Sequence, residues 1–234
     1  MVLNPNNIPK LTGVPLIKIK SADIIYDLQK NGTIYMNKLQ YYRDYEKRTG
    51  ETVVGDMNEG RIPIHNAYLV NPETNETIKI QDTSVECDIH DCFAYCMFFI
   101  NPHNGDFAFT EKQKEKFSSF GDTALLITNQ YEFIKRIDNR IKEMGLSLYQ
   151  QSINYYNPNE DSANLWLSLM KGMYNIAFWK NRDYAYQQEY RFLVKNDTIK
   201  DDHIIVDIGN IEDISTVIKT SQLLKLKFKY NGNE

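Results

Sequence analysis

The run CFAYCMFFI, residues 92–100, constrains this chain more than any other stretch. Its apolar residues follow one another almost without a break, which is the pattern of a central strand buried on both faces. Strand-like pieces to lie beside it recur along the chain. VPLIKIK (14–20) alternates apolar and polar residues, TIYM (33–36) is a second short strand, and TALLITN (123–129) is another apolar run. IPIHNAYLV (62–70) and TIKIQ (77–81) flank the turn-rich NPETNE and predict a hairpin. LYQQSINYY (148–156), YAYQQEYRFLV (184–194), HIIVDIG (203–209), STVIKT (215–220) and LLKLKFKY (223–230) complete the set. The last carries Lys225, Lys227 and Lys229 on one side, as a guarded edge strand does.

Helical spacing is confined to a few segments. QYEFIKRIDNRIKEMG (130–145) sets Phe133, Ile134, Ile137 and Ile141 on one stripe and closes with Gly145. SADIIYDLQKNG (21–32) places Ser21 as an N-cap and Gly32 as a stop. FTEKQKEKFSSFG (109–121) also reads as helix, whereas residues 161–179 fit either a short helix or two strands. The polar, tyrosine-rich stretch 37–60, punctuated by Gly50, Gly55 and Gly60, predicts a long loop, mobile over residues 47–60. The expected fold is α+β: one domain over residues 1–234, a mostly antiparallel or mixed sheet and a few helices.

Composition narrows the function classes. Hydrophobic residues make up 42% and charged residues 25%, which fits a globular chain and suggests neither disorder nor a fibrous repeat. A net charge of −4 argues against a broad cationic face for coating nucleic acid, though not against a local basic groove. The start MVLNPNNIPKLTG has no apolar leader core and no run of about 18 apolar residues occurs, so a cytoplasmic protein without a membrane span is expected. Cys87, Cys92 and Cys96 lie close together in odd number, which suits reduced thiols better than a disulfide framework.

Four clusters can carry chemistry. Cys87, His90, Cys92 and Cys96 are possible zinc ligands, but Cys92 and Cys96 fall inside the apolar run and no knuckle turn brings the four together, so neither zinc nor a disulfide is expected. In GDMNEG, Asp56 and Glu59 can hold a divalent cation or accept from ribose hydroxyls; on the motif alone a solvated turn is the favoured reading. NKLQYYRDYEKR gathers Tyr41, Tyr42, Arg43, Tyr45 and Arg48, which suits stacking on a planar ring and contacts to phosphate, and equally an amphipathic helical turn. In YAYQQEYRFLV, Gln187, Glu189 and Arg191 share one face of a strand, so a cation and an amide flank a carboxylate that can stay ionised while partly buried. A structural Glu–Arg pair reads the same pattern equally well.

LIKIKSADIIYDLQKNGTIYMNKLQYYRDYE, GDMNEG, and INYYNP with FWKNRDYAYQQEYRFLV, in that order and over most of the chain, resemble a widespread bacterial and phage family known as a domain of unknown function. More distantly the chain is similar to ADP-ribosyltransferases, whose late strand carries a catalytic glutamate in a [QE]-x-E pattern; Gln187 and Glu189 fill it. Where that superfamily has an early Arg or His on its first strand, this chain has Lys18 and Lys20. The resemblance implies an NAD-using transferase of toxin or phage-conflict systems, with a nucleotide ligand and a macromolecular acceptor. Glu189 would stabilise a ribosyl cation and Gln187 would orient ribose or acceptor, with Arg191 beside them. Tyr35, Tyr41 or Tyr42 would pack on nicotinamide, and Arg43 or Arg48 would meet the pyrophosphate. Lys18, Asp56 and Glu59 complete the expected cofactor contacts. Two alternatives stand beside it. One is a metal-dependent nuclease with magnesium on Asp56, Glu59 and Glu189, and Lys180 or Arg191 on the phosphate. The other is a nucleotide-sensing or protein-binding module in which Glu189 is structural.

Overall fold

A computed structural model describes residues 12–50, 55–89, 91–101, 105–196 and 198–229. In chain order its main elements are β1 (Leu16–Lys20), α1 (Ala22–Asn31), β2 (Thr33–Lys38), α2 (Leu39–Thr49), β3 (Cys92–Phe99), α3 (Glu111–Ser118), β4 (Thr123–Ile127), α4 (Gln130–Glu143), β5 (Ser147–Ser152), α5 (Ala163–Lys171), β6 (Glu189–Lys195), β7 (His203–Asp207), β8 (Ser215–Lys219) and α6 (Thr220–Leu223). The eight strands form one sheet in the order β5-β6-β3-β1-β4-β8, with β2 also on β3 and β7 on β2. Every pairing within it is antiparallel, so the chain is an α+β fold with a mostly antiparallel sheet. Among the described residues no helix is long and apolar enough to cross a membrane.

β3 is the central strand that its apolar run predicts. Phe93, Tyr95 and Met97 enter a core cluster with Leu16, Phe133, Ile137, Ile141 and Phe192, beneath α1 and α4. On the other face Cys92 and Ala94 join Leu39, Leu165, Phe178 and Leu193, while Phe98 joins Ile17, Ile19, Phe117, Leu126 and Leu223. The side-chain period of two therefore feeds a different cluster from each face. α4 buries Phe133, Ile137 and Ile141 as its stripe requires, and Asn129 caps it by accepting the Glu132 N–H at 3.1 Å.

One edge of β3 is taken whole by β6, from Glu189 opposite Phe98 to Lys195 opposite Cys92. The opposite edge is divided. β2 pairs it at Phe93 and Ala94, and β1 pairs it only at Phe98 and Phe99. From Lys18 onward β1 diverges to pair with β4 alone, so the sheet forks beside Tyr95, Cys96 and Met97.

Several local expectations change. The tyrosine-rich stretch is not loop from residue 37: residues 39–49 form α2, because Leu39, Arg43 and Glu46 recur at helical spacing and are buried. Residues 51–54 of the expected mobile loop lie outside the described residues, and Gly55–Gly60 is a packed turn. The hairpin forms as two ladders, Arg61–Ile64 with Thr83–Glu86 and Tyr68–Val70 with Thr77–Lys79. Ala163–Lys171 form α5 and Met173–Phe178 a 3-10 segment, broken at Gly172, and 223–229 hold the end of α6 and only the two-residue strand Lys227–Phe228. The stretch 184–194 is strand only from Glu189. Residues Arg182–Gln187 form a 3-10 helix, and Gln188 turns the chain at φ 38°.

Candidate active site

The site is built around the first residues of β6. Glu189 and Arg191, two apart, project to the same side of the strand, and Arg191 Nε donates to Glu189 Oε1 at 2.7 Å. The guanidinium fork reaches a second carboxylate from far along the chain: Nη1 donates to Glu59 Oε1 at 2.6 Å and Nη2 to Oε2 at 3.3 Å. Nη1 also donates to the Ala177 carbonyl. Lys180, in the short strand Trp179–Asn181, donates to Gln187 Oε1 at 2.8 Å and to Glu189 Oε2 at 3.3 Å. The Glu189 N–H donates to the Tyr155 hydroxyl at 3.0 Å, and Cys96 is a neighbour of the Glu189 carboxylate. All four charged side chains are buried.

Gly55 and Gly60 explain how Glu59 arrives there. A Cβ on Gly55 would stand 2.8 Å from the Glu46 backbone nitrogen, so the turn lies against α2 closer than any side chain permits. Gly60 adopts φ 74°, in the left-handed region. Glu46 holds the turn from α2: its Oε2 accepts the Met57 N–H at 2.7 Å and the Tyr184 hydroxyl at 3.0 Å. Asp56 and Glu59 are each only 1% exposed, so the turn is not the solvated one that its composition suggested; it presses two carboxylates inward.

The electrostatics follow from this packing. Burial works against charge on Glu189, but Arg191 and Lys180 outweigh it and hold the carboxyl well below the usual range. Lys180 is likewise buried, and Glu189, Asp56 and Glu59 raise it above an ordinary lysine. Asp56 is pushed up to about 7, by burial first and by Glu59 second, against the pull of Lys180. Burial and the neighbouring Glu189 push the Cys96 thiol up to about 12, so it is a neutral thiol and not a thiolate.

At the fork between β1 and β3 the fold leaves a cavity of ≈ 140 Å³. Ile17, Ile19, Phe98, Phe117 and Phe120 give it apolar walls, and Lys18, Lys20, Tyr42, Cys96, Lys180, Gln187, Glu189 and Arg191 supply polar groups. A cavity of about 150 Å³ accommodates benzene, so this one has room for a single planar ring and not for a dinucleotide. The remainder of a larger ligand would lie outside it.

Of the residues singled out by sequence, the fold brings Lys18, Tyr42, Gln187, Glu189 and Arg191 to this cavity, with Glu59 directly behind Arg191 and Asp56 behind Lys180. Gln187 does so from the 3-10 segment and not from the strand face expected of it. Four others do not line it. Tyr35 is exposed and stacks on His203 at 4.4 Å between ring centroids. Tyr41 and Arg48 are on the exposed side of α2, and Arg43 is buried in a 2.6 Å ion pair with Glu86. Cys87 and Cys92 pack in the core, and His90 lies outside the described residues. Sequence reading placed Lys180 only in the nuclease alternative and left Tyr155 and Glu46 unnoticed. A charge following the apolar AF and Trp179 was the available signal for Lys180.

The magnesium arrangement is not supported by these positions. Arg191 separates Glu59 from Glu189, Lys180 stands beside Asp56, and among the described residues no three acidic, His or Cys side chains are placed to hold a metal ion. Comparison with known proteins supplies no relative: no family model, no curated protein and no solved structure matches the chain.

Proposed function

We propose that the chain transfers a ribosyl group from a dinucleotide, as an ADP-ribosyltransferase using NAD as co-substrate. The observation that carries this reading is the Glu189 carboxylate, kept ionised though buried, beside a cavity with room for one ring. Cleaving a glycosidic bond to a nicotinamide ring builds positive charge on the ribose. A fixed anion in a water-poor site lowers the energy of that charge without reorganising at the moment of reaction.

The residues divide the work between them. Arg191 and Lys180 keep Glu189 ionised and fix its rotamer, and Glu59 holds Arg191 from behind. The Lys180 bond to Glu189 Oε2 is the longer of the two, 3.3 Å against 2.7 Å for Arg191 to Oε1, so Oε2 is the less tightly held oxygen and the one that would accept from a ribose hydroxyl. Gln187 presents its amide next to it, its own oxygen held by Lys180. Apolar walls suit a leaving ring, and Lys18 and Lys20 suit the anionic remainder of the dinucleotide.

The test is incubation of the purified protein with NAD labelled on its adenylate, together with cell protein, DNA and RNA. Label in one acceptor fraction supports the reading and names the acceptor. Absence of label from all three, with the protein folded, removes it.

A further inference from the structure

We propose that Lys18 is a carbonyl-reactive amine, which takes aldehydes or ketones no larger than a single six-membered ring as Schiff bases within the cavity. This activity is independent of ribosyl transfer and needs no dinucleotide.

The placement of Lys18 sets it apart from the other buried lysine. Lys180 has a carboxylate in ion-pair contact. Lys18 is the first residue of β1 beyond its pairing with β3, and its Nζ crosses the fork to donate to the Cys96 carbonyl at 2.6 Å. That nitrogen also stands 4.1 Å from the centre of the Tyr95 ring. Among the described residues no carboxylate lies within ion-pair distance of it. Lys18 is partly buried and is one of the residues that line the cavity, whose apolar walls would receive the organic part of a small carbonyl compound.

The surrounding charges act on this amine from every side. Burial favours its neutral form most strongly and Lys20, on the same strand, adds to that. Glu189 on β6 acts the other way and is weaker, while the Cys96 thiol on β3 is uncharged in this range, which leaves Lys18 lowered to about 8. Tyr42, Lys180 and Arg191 complete the titratable groups lining the cavity. A lysine desolvated in an apolar pocket next to a second cation is an activated amine nucleophile. Its free lone pair adds to the carbonyl carbon as the C=O π pair moves to oxygen, and a proton passes from nitrogen to that oxygen. The carbinolamine then expels the hydroxyl as water, which takes a proton from solvent, and leaves the protonated imine.

The test uses the full chain with benzaldehyde as probe, sodium cyanoborohydride to reduce any imine, and peptide mass spectrometry to find the benzylated lysines. At pH 7.5 Lys18 should be modified at least about tenfold faster than exposed lysines such as Lys171, because its free-amine fraction is far larger. Its rate should rise with a midpoint near 8. Lys18→Arg should abolish modification of that peptide. Modification of Lys18 in the wild-type protein no faster than that of Lys171, or a midpoint at the ordinary lysine value, overturns the proposal. Because no NAD is present, neither result bears on ribosyl transfer.

Discussion

Among the described residues Arg191 heads the fully buried side chains by size, and a guanidinium taken out of water costs several kcal/mol unless its donors are met. Here Glu59 takes the fork and Glu189 takes Nε, so the two carboxylates are not equivalent. Glu59→Gln leaves the fork without a charge partner and should cost about 3 kcal/mol or more in urea unfolding. Glu189→Gln should cost less, about 1–2 kcal/mol, because Arg191 keeps Glu59 and because Asp56 can ionise beside Lys180 to replace the lost charge. The reverse order of the two variants would show that Glu189, not Glu59, is the structural partner. Asp56 gives a pH signature of its own. Its folded-state pKa is raised, so the folded protein holds more protons than the unfolded chain, and stability falls as pH rises from about 4 through about 7. Asp56→Asn, which keeps an oxygen for the Asn58 N–H, should be more stable than wild type at pH 8 by about 1–3 kcal/mol and equal to it below pH 4. A variant less stable than wild type at pH 8 would contradict this. Glu189 has the opposite sign: its folded pKa is depressed, so its contribution is present above the usual carboxylate range and is lost as pH falls toward the depressed value. In the sequence the Glu189–Arg191 pair was legible because both lie within three residues. Glu59 was not, since an ion pair across 132 positions exists only once the turn is seated against the sheet.

Element types were legible wherever one period dominated. β3 could be read from its unbroken apolar run and α4 from its stripe, because in each the buried set is wholly apolar. α2 was legible only as one of two readings of NKLQYYRDYEKR, the amphipathic helical turn, and its buried set was not, because two of its three buried positions are Arg43 and Glu46, whose burial depends on Glu86 and on the turn that they touch. The start of β6 was missed for a similar reason. Alternation continues through YAYQQEY, and only the left-handed turn at Gln188 separates 3-10 helix from strand. Gly55 is the point where element packing reaches the site. Gly55→Ala would drive its methyl into the backbone and Cβ of Glu46 and push the turn away from α2. A loss of about 1–3 kcal/mol is expected by chemical unfolding. The displaced turn also carries Glu59, so ribosyl transfer should fall with it. Unchanged stability would mean that the turn does not lie against α2 as closely as described.

For the whole molecule, the fork in the sheet ties fold to site. Strands packed along β6 fix the carboxylate, and the divergence of β1 opens the space beside it. The net charge of −4 argued against a broad cationic surface but said nothing about this one place, where Lys18, Lys20, Lys180 and Arg191 surround a single lining carboxylate. Composition averages over the surface; the fold concentrates four of its cations at one cavity. The central claim is that Glu189 is held there to act on charge developing in a ligand. The most direct measurement compares wild type and Glu189→Gln for transfer of label from NAD, with unfolding of both followed in the same buffer. The account predicts a folded variant whose transfer is reduced about a hundredfold or more. A folded Glu189→Gln variant with full transfer would contradict it.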